Sequence, residues 1–406
     1  MRKPVVKAVL DVGSSRTRLV AARIGAKSGV FEIVGYGVST AGTLKAGVVT
    51  NIPAVSEAIR QVREMGEKQT RLLLNSVSVA LSGEHILGVN SEGHSTIHNR
   101  HIQENDVTRA MMRARQIASR DGHRPLHILE QQFIIDGRQS VSDPRGMVGD
   151  RLDVRAHIIS ARRAIMANLE QCIHNAGIHI ENPVYAGLAS AYAASSPEER
   201  DLGICTVDLG AGTADIMLWW HNRPMHAATL PIGGEQISSA LASFLRIPRQ
   251  TAEMLKCQYG TLSSKHNLSS RIPLPSTGHF PDRYIASSDV IGQISNSYQQ
   301  LFTQIGKEFQ RIGLRKILDG GIIFTGGAAQ MPGLAEMASE FFDCTVRVFV
   351  PPAIEGLDKH LQNDAGMTTA LGLLYLLYEP IDDYIWAREE KEGIIPSISN
   401  FLKRYF

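Results

Sequence analysis

The sequence has few cysteines, no long apolar run and almost no excess charge. Its four cysteines lie far apart and form no CxxC pair, which argues against a zinc site or a disulfide framework and favours a reducing compartment. No stretch reaches the roughly 20 apolar residues that a membrane-spanning helix needs, and the first residues contain no long apolar segment typical of a signal peptide. A cytoplasmic protein is therefore expected, and any membrane contact should be peripheral.

Charge and composition narrow the class further. A formal net charge of +2 gives no general attraction to nucleic acid, so no nucleic-acid partner is expected. Hydrophobic residues make up 43% and charged residues 20% of the chain, which is typical of an ordinary globular protein. Because 406 residues exceed what a single core usually supports, two or more lobes are expected.

A tight turn separates two apolar stretches near the start of the chain. The pattern of Val5–Leu10 predicts a buried strand, Asp11 follows it, and apolar alternation resumes after Gly13–Ser15. Gly13 lets backbone N–H groups approach an anion, the two serines add hydroxyl donors, and Arg16 adds positive charge. The pattern predicts a phosphate-binding hairpin, although an ordinary turn between strands has the same sequence features.

The same design returns about two hundred residues later. A predicted buried strand, 204–207, ends in Asp208, and Gly210–Thr213 leads into a second strand that carries Asp215. Both hairpins follow the plan D-[VL]-G-x-[GS], and a repeat at this spacing indicates two related lobes with one hairpin each. Facing hairpins would hold a polyphosphate between them, while Asp11 and Asp208 at the strand ends suit a magnesium ion held through water.

A third glycine turn follows a short apolar strand late in the chain. Residues 322–324 are apolar, Gly326–Ala328 forms the turn, and a helix is predicted from about Pro332 to Phe342. Glycines leave room for a flat base and ribose to lie against the backbone. Many strand–loop–helix turns share this pattern, so its position after two phosphate hairpins makes it informative.

These motifs occur in the order that the actin-like ATPase superfamily uses: two phosphate hairpins and then an adenosine-binding turn. Within that superfamily the chain resembles the FtsA family of bacterial cell-division proteins over nearly its whole length. The segments that carry the resemblance are ALSGEHI, PLHILEQQFIIDG, AGLASAYA, VDLGAGTADI, FTGGAAQMPGL, TALGLL and the terminal amphipathic peptide. The resemblance implies an α/β, actin-like two-lobed ATPase fold, with duplicated sheet-and-helix domains and an inserted small α/β subdomain.

The resemblance also implies a nucleotide site, with ATP and Mg as cofactors. The residues that match the family's nucleotide loops are Asp11, Gly13, Ser14, Ser15, Arg16, Asp208, Gly210, Ala211, Gly212, Thr213, Asp215, Gly326, Gly327 and Ala328. A segment similar to the superfamily's A-E-x-x-K helix near the ribose adds Lys256 and Glu253 as lesser candidates. For these two residues, a solvated helix face is the alternative.

Catalysis is expected to be weak, because one position departs from the superfamily pattern. In filament-forming and chaperone relatives, a Glu or Gln in the first connecting helix orients the attacking water, and the matching position here is Ala186. Alanine cannot polarise water. ATP is therefore expected to act mainly as a structural ligand and switch with at most slow hydrolysis, and Asp208, or a water that it holds, is the remaining catalytic candidate.

The two lobes are expected to be assembled from separate stretches of the chain. By the resemblance, subdomain 1A comprises 1–82, 164–198 and a closing helix at 361–380. Subdomain 2A comprises 199–232 and 304–360, and it carries the second phosphate hairpin and the adenosine loop.

Four further segments have their own expected roles. The insertion at 83–163 corresponds to subdomain 1C, a β-α-β-β unit expected to serve assembly and divisome contacts. Subdomain 2B, 233–303, is expected to receive the C-terminal peptide of the tubulin-like division protein FtsZ. An acidic linker at 381–393 leads to an amphipathic segment at 394–406.

The amphipathic segment, IIPSISNFLKRYF, has one apolar helical face flanked by basic residues. Such a short helix is marginal in water and needs a surface that buries its apolar face. An anionic membrane supplies one, and a groove on the protein itself or on a partner is the alternative. The residues expected to face a membrane are Ile395, Ile398, Phe401, Leu402, Lys403, Arg404, Tyr405 and Phe406.

Together these features favour an ATP-binding division protein that polymerises and tethers FtsZ to the cytoplasmic face of the inner membrane at the septum. The expected partners are the FtsZ C-terminal peptide, other copies of the chain, downstream divisome membrane proteins and anionic lipids. Two alternatives remain open from the sequence: an FtsA-like pilus-assembly ATPase, which lacks this tail pattern, and an actin-fold sugar kinase, which needs a polar substrate pocket and a catalytic base.

Overall fold

The computed structural model describes residues 5–24, 31–40, 44–263, 271–274, 283–313, 318–359, 361–378 and 384–386. The membrane-facing residues predicted between 394 and 406, and most of the acidic linker, lie outside the described residues. Within the described part of the chain, no helix is long and apolar enough to cross a membrane.

The first lobe contains a five-stranded sheet flanked by helices. Its elements are β1 (Val5–Val12), β2 (Thr17–Ile24), β3 (Phe31–Ser39), the short pair β4 (Leu44–Lys45) and β5 (Val48–Val49), α1 (Ile52–Thr70), β6 (Ser76–Leu81), α3 (Arg163–Asn175), β11 (His179–Tyr185), α4 (Ala186–Ala194) and α10 (Thr368–Tyr378). The strand order is β11-β6-β1-β2-β3. β1 pairs antiparallel with β2, and β2 with β3, whereas β1, β6 and β11 run parallel.

The second lobe repeats this arrangement. Its elements are α5 (Pro197–Leu202), β12 (Ile204–Leu209), β13 (Ala214–Trp220), β14 (Arg223–Leu230), α6 (Gly234–Leu245), α7 (Arg249–Tyr259), β15 (Arg271–Leu274), β16 (Arg283–Ala286), α8 (Ser287–Arg311), β17 (Ile322–Thr325), α9 (Leu334–Phe342) and β18 (Val346–Val348), with 3-10 turns at Gly327–Gln330 and Ala365–Met367. The order β14-β13-β12-β17-β18, with the same parallel and antiparallel pairs, matches the first sheet strand for strand. The predicted duplication of sheet-and-helix lobes is confirmed.

Strand pairing explains why the hairpins end up in equivalent places. β12 is buried along its whole length, as expected for a central strand covered by helices on both faces. β1 occupies the same position in the first sheet. Because each hairpin follows the central strand of its own sheet, both turns lie at corresponding edges of the two lobes.

A helix late in the chain, α10, closes the first lobe. α10 is strongly apolar and packs on α4 and β1, within a core that includes Leu371, Leu374 and Ala189. Gly372 permits the close approach of the two helices, since a Cβ at that position would lie only 1.9 Å from Ala189 O.

The inserted unit is a long antiparallel sheet with one helix against it. It consists of β7 (Ile86–Thr96), α2 (Glu104–Ala118), β8 (His123–Ile135), β9 (Gln139–Val141) and β10 (Arg151–Arg162), with β10 between β8 and β7. Apolar residues of α2 recur at helical spacing and pack on the sheet together with Phe133 and Val154. The sequence predicts a β-α-β-β unit, and the structure adds the short strand β9 between β8 and β10.

A short strand from the linker joins the inserted sheet. β19 (Tyr384–Trp386) pairs antiparallel with β8, with Tyr384 opposite Leu129 and Trp386 opposite His127. β9 pairs with a different part of β8, at Phe133–Ile135, so β19 occupies backbone that would otherwise form an open edge. The segment predicted as an acidic linker therefore includes a strand contact, which its charged composition does not indicate.

Candidate nucleotide site between the lobes

A cavity of about 1080 Å³ opens where the two hairpins meet. It is lined by all the residues that the sequence assigns to nucleotide: Asp11, Gly13, Ser14, Ser15, Arg16, Asp208, Gly210, Ala211, Gly212, Thr213, Asp215, Lys256, Gly326, Gly327 and Ala328. Glu253 and Ala186 line it as well. The fold thus brings together residues that are more than three hundred positions apart in the chain.

The two hairpins have the same backbone geometry and touch each other. Gly13 N donates to Arg16 O at 2.9 Å, and Gly210 N donates to Thr213 O at 2.8 Å. A Cβ on Gly212 would lie 2.5 Å from Ser14 Oγ and 3.1 Å from Ala46 N, so the second turn packs closely against the first lobe. The repeat in the sequence is therefore also a repeat of turn conformation.

Two carboxylates of the second lobe accept hydrogen bonds from hydroxyls of the first. Thr369 on α10 donates to Asp208 Oδ2 at 2.6 Å. Ser82, directly after β6, donates to Asp215 Oδ2 at 2.7 Å, and Thr229 on β14 donates to Asp215 Oδ1 at 2.6 Å. All three bonds orient the carboxylates, and those from Thr369 and Ser82 also join the two lobes across the cavity.

Burial makes the ionised form of three aspartates unfavourable. It raises the pKa of Asp11, although the neighbouring Arg18 opposes this shift. It raises the pKa of Asp208 to about 6 and that of Asp215 to about 7, and the charges of the other carboxylates add to both shifts. The positive charge near Asp11, Asp208 and Asp215 is therefore too small to keep all three carboxylates ionised at their usual pKa.

A divalent cation suits this group of acids. Magnesium prefers oxygen ligands and keeps several of its waters, so it does not need three protein ligands in direct contact. Among the described residues, no group of three or more His, Cys, Asp or Glu side chains is placed to hold a metal ion directly. Asp11, Asp208 and Asp215 all line the cavity and offer carboxylate oxygens of this kind.

Two charged residues that the motifs do not mark contribute to the site. Arg18 on β2 is buried, and its Nη1 lies 3.4 Å from Asp11 Oδ2. Asp364, which precedes the second 3-10 turn, pairs with Arg16 at 3.3 Å and lies 4.0 Å from Arg18. Arg18 could have been noticed as a charged residue among the apolar positions at the start of β2, the first six of which are buried.

The adenosine-type turn combines a constrained glycine with an open one. Gly326 has a φ of +91°, and a Cβ there would lie 2.3 Å from Asp208 Oδ1. Gly327 has nothing within 4 Å of the position a Cβ would take. Tyr298 on α8 donates to Ala328 O at 2.6 Å and holds the turn in place.

Lys256 is a buried contact between helices. Its Nζ donates to Gly234 O at 3.0 Å and pairs with Glu253 Oε2 at 2.8 Å. The alternative that Lys256 lies on a solvated helix face is wrong, because the side chain is buried. Its ammonium group ties α7 to the start of α6 at the wall of the cavity.

Ala186 is the first residue of α4 and lines the cavity. Its side chain is buried and provides no polar atom where related proteins are expected to have a Glu or Gln. Among the described residues that line the cavity, Asp208 and Asp215 are the buried acids that could act as a general base. Both already accept hydrogen bonds, from Thr369 and Thr229 respectively.

The raised pKa of Asp215 predicts how the stability of the protein without nucleotide or metal depends on pH. A carboxyl whose folded pKa is raised from 3.8 to about 7 contributes stability below pH 4, and this contribution is lost as pH rises towards 7. Asp215→Asn should therefore become more stable relative to the unsubstituted protein between pH 5 and pH 8, by up to a few kcal/mol (about 1.4 kcal/mol per pKa unit).

Denaturant unfolding at both pH values measures this difference directly. Glu198→Gln is a suitable control, because hydrogen bonds from its own backbone and from Ser196 lower rather than raise the pKa of that exposed carboxyl. A pH-independent stability difference for Asp215→Asn would contradict the description of Asp215 as a buried acid whose pKa is raised by burial.

Comparison with solved structures places the fold in a class. A chain of the PilM-PilN type IV pilus biogenesis complex superposes with a TM-score of 0.65 at 16% identity, over 92% of this chain and 99% of that one. MreB5 of Spiroplasma citri bound to ADP gives 0.55 at 13% identity, over 91% and 95%. The MamK double helical filament gives 0.52 at 13% identity, over 92% and 99%. The protein has the actin-like fold.

Sequence comparison identifies the family. The family model described as "SHS2 domain inserted in FTSA" matches residues 83–160, and the model "Cell division protein FtsA" matches residues 205–372. Cell division protein FtsA of Pseudomonas aeruginosa is 32% identical over 90% of this chain and 87% of its own length. That of Neisseria meningitidis is 31% identical over 98% of both. The chain belongs to the FtsA family of cell-division proteins.

Proposed function

We propose that the chain binds ATP with magnesium between its lobes and uses the nucleotide as a structural switch. The observation that supports this most is the meeting of two equivalent glycine hairpins in one cavity, beside the buried Asp208 and Asp215 and the half-buried Asp11. Backbone N–H groups of glycine turns suit phosphate oxygens, and the acids suit the cation that accompanies them. The MreB5 structure named above is of a protein with the same fold bound to ADP.

The proposed roles follow from position in the cavity. Gly13–Arg16 and Gly210–Thr213 hold the phosphates, and Asp11 with Asp208 orients hydrated magnesium, which neutralises phosphate charge when bound. Gly326–Ala328 supports the base and ribose, and Lys256 shapes the adjoining wall. Thr369 and Ser82 make hydrogen bonds across the cavity. Through these bonds, nucleotide binding would change the position of one lobe relative to the other.

We propose further that the protein acts in division as an adaptor. Copies assemble into filaments, the amphipathic segment 394–406 anchors them to anionic lipids on the cytoplasmic face of the inner membrane at the septum, and FtsZ is tethered there. The inserted unit at 83–163 supplies assembly contacts and recruits later divisome membrane proteins. Membership of the FtsA family and a fold shared with a filament-forming protein support this proposal.

The unit at 233–303 is proposed to dock the FtsZ C-terminal peptide. Among the described residues of this unit, three large apolar side chains are exposed: Phe244 on α6, Met254 on α7 and Tyr284 on β16. Their accessible fractions of 52%, 59% and 66% leave apolar area that a short peptide could cover. The FtsA relatives share 31–32% of their residues with this chain, whereas the likeness to the pilus-biogenesis chain, at 16% identity, concerns the fold alone.

The biochemical test of this proposal compares the binding of Mg-ATP with the rate at which the protein hydrolyses it. The purified chain should bind Mg-ATP with one site per molecule, and steady-state phosphate release should be slow because Ala186 orients no water. Phosphate release well below about 1 s⁻¹, the low end for ordinary enzymes, is expected. Rapid turnover would contradict the role given to Ala186, and failure to bind Mg-ATP would contradict the proposed function itself.

A further inference from the structure

Tyr185 is the residue at which both lobes and the inserted unit come together. It ends β11 at the edge of the first sheet, and the next residue begins α4 beside the cavity. Its side chain is fully buried. Tyr185 belongs to none of the glycine motifs, so its position in three sets of contacts comes from the folded structure alone.

The phenol of Tyr185 reaches the second lobe. Its hydroxyl donates to Ala228 O at 2.7 Å and lies 3.2 Å from Ile216 O, so it touches both β14 and β13. Thr229, the next residue on β14, lies 3.4 Å from the same hydroxyl and donates to Asp215 at 2.6 Å. The phenol is therefore separated from a cavity carboxylate by a single threonine side chain.

The backbone of Tyr185 reaches the inserted unit. Its N–H donates to Nε2 of the buried His127 on β8 at 3.0 Å. The ring is also confined, since a Cβ on Gly187 would lie 2.6 Å from three of its atoms. Movement of the phenol must therefore be accompanied by movement of the backbone N–H that holds β8, or of α4.

β14 itself packs against the inserted sheet. A Cβ on Gly88 of β7 would lie 2.3 Å from Ala227 O, and Gln131 on β8 donates to Pro224 O at 2.7 Å. The strand that orients Asp215 is thus also the strand on which the inserted unit rests. Tyr185 bonds to both sides of this contact.

We propose that Tyr185 is a positioning residue that couples occupation of the cavity by Mg-ATP to the packing of the inserted sheet. A ligand that changes the hydrogen bonds of Asp215 shifts Thr229 and β14. The phenol of Tyr185 moves with its acceptor, Ala228 O, on β14. The backbone N–H of Tyr185 then moves His127 on β8, to which it is hydrogen-bonded. This coupling rests on the proposed nucleotide binding and adds a physical route from that site to an assembly surface.

Hydrogen exchange on the full chain, with and without Mg-ATP, measures the coupling. In the unsubstituted protein, Mg-ATP is expected to slow amide exchange in β7 and β8 by at least about threefold. Tyr185→Phe keeps the ring and removes only the hydroxyl. It should bind Mg-ATP within about threefold of the normal affinity, yet lose most of the ligand-induced slowing.

Tyr375→Phe is the matched control, because it also removes a tyrosine hydroxyl, here from a half-buried ring that packs on Phe31 in the first lobe. It should keep the full response. Should Tyr185→Phe fail to fold, Thr229→Val tests the same route one contact nearer the cavity and should lose the response in β8 as well.

The outcomes separate the coupling from the binding. No binding of Mg-ATP to the unsubstituted chain would overturn the proposed function and the coupling with it. Binding without any change in exchange would overturn the coupling alone. A full response in Tyr185→Phe, together with its loss in Gln131→Ala, would also overturn it and assign the route to the direct contact of β14 with β8.

Discussion

Gly327→Phe is expected to weaken Mg-ATP binding at least about 100-fold, or about 2.7 kcal/mol, while leaving the fold intact. The reason is that Gly327 faces open space: no atom lies within 4 Å of its potential Cβ, and the residue lines the cavity. A phenyl ring would therefore occupy the volume assigned to adenosine without meeting other protein atoms at its base. Isothermal titration with Mg-ATP, together with a thermal melt, measures both parts of the prediction.

A glycine on the outside of the second lobe provides the control. Gly292 lies on α8 and also has nothing within 4 Å of its potential Cβ, but it does not line the cavity. Gly292→Phe should bind Mg-ATP normally. Normal affinity in Gly327→Phe would show that the base does not lie against this turn.

Replacing Phe401 and Leu402 together with Glu should release the protein from anionic vesicles. Each side chain contributes about 2 kcal/mol when buried in an interface, so removing both should reduce membrane affinity about 10³-fold, before charge repulsion is added. Vesicle sedimentation of the full chain measures the loss. Because one short helix binds weakly, filament assembly that joins many tails would raise the avidity by about 10²–10⁴.

The control places the same two charges on the polar side of the helix. In a helix with this sequence, Ser399 and Asn400 would lie away from the face that Ile398, Phe401, Leu402 and Tyr405 would form. Ser399→Glu with Asn400→Glu should weaken binding only by the electrostatic cost, about 1 kcal/mol per charge. Equal sedimentation of both double variants would favour the alternative that the segment docks on a protein groove.

The glycine motifs predicted much of the site because turn chemistry is local. Gly212 and Gly326, which Ser14 and Asp208 approach closely, each follow a predicted strand at a short distance in the sequence. Their positions could therefore be predicted without knowledge of the fold. The duplicated sheets could likewise be predicted from two hairpins of the same plan, since each hairpin belongs to the central strand of its own sheet.

The remaining contacts of the site could not be predicted because they join distant segments. Ser82, Thr369 and Asp364 are ordinary polar residues that become part of the cavity only when three parts of the chain fold together. The strand at Tyr384–Trp386 is another example, because it forms only where β8 presents an unpaired edge. The sequence could not decide between a site residue and a solvated helix face for Lys256, because its acceptor Gly234 O lies on another helix.

The most direct test of the adaptor account is co-sedimentation of an FtsZ C-terminal peptide with anionic vesicles in the presence of Mg-ATP. The full chain should carry the labelled peptide into the vesicle pellet, whereas a chain that ends at residue 393 should leave both in the supernatant. Peptide that fails to pellet with a membrane-bound full chain, or that pellets equally well with the truncated chain, would contradict the proposal that this protein tethers FtsZ to the membrane through residues 394–406.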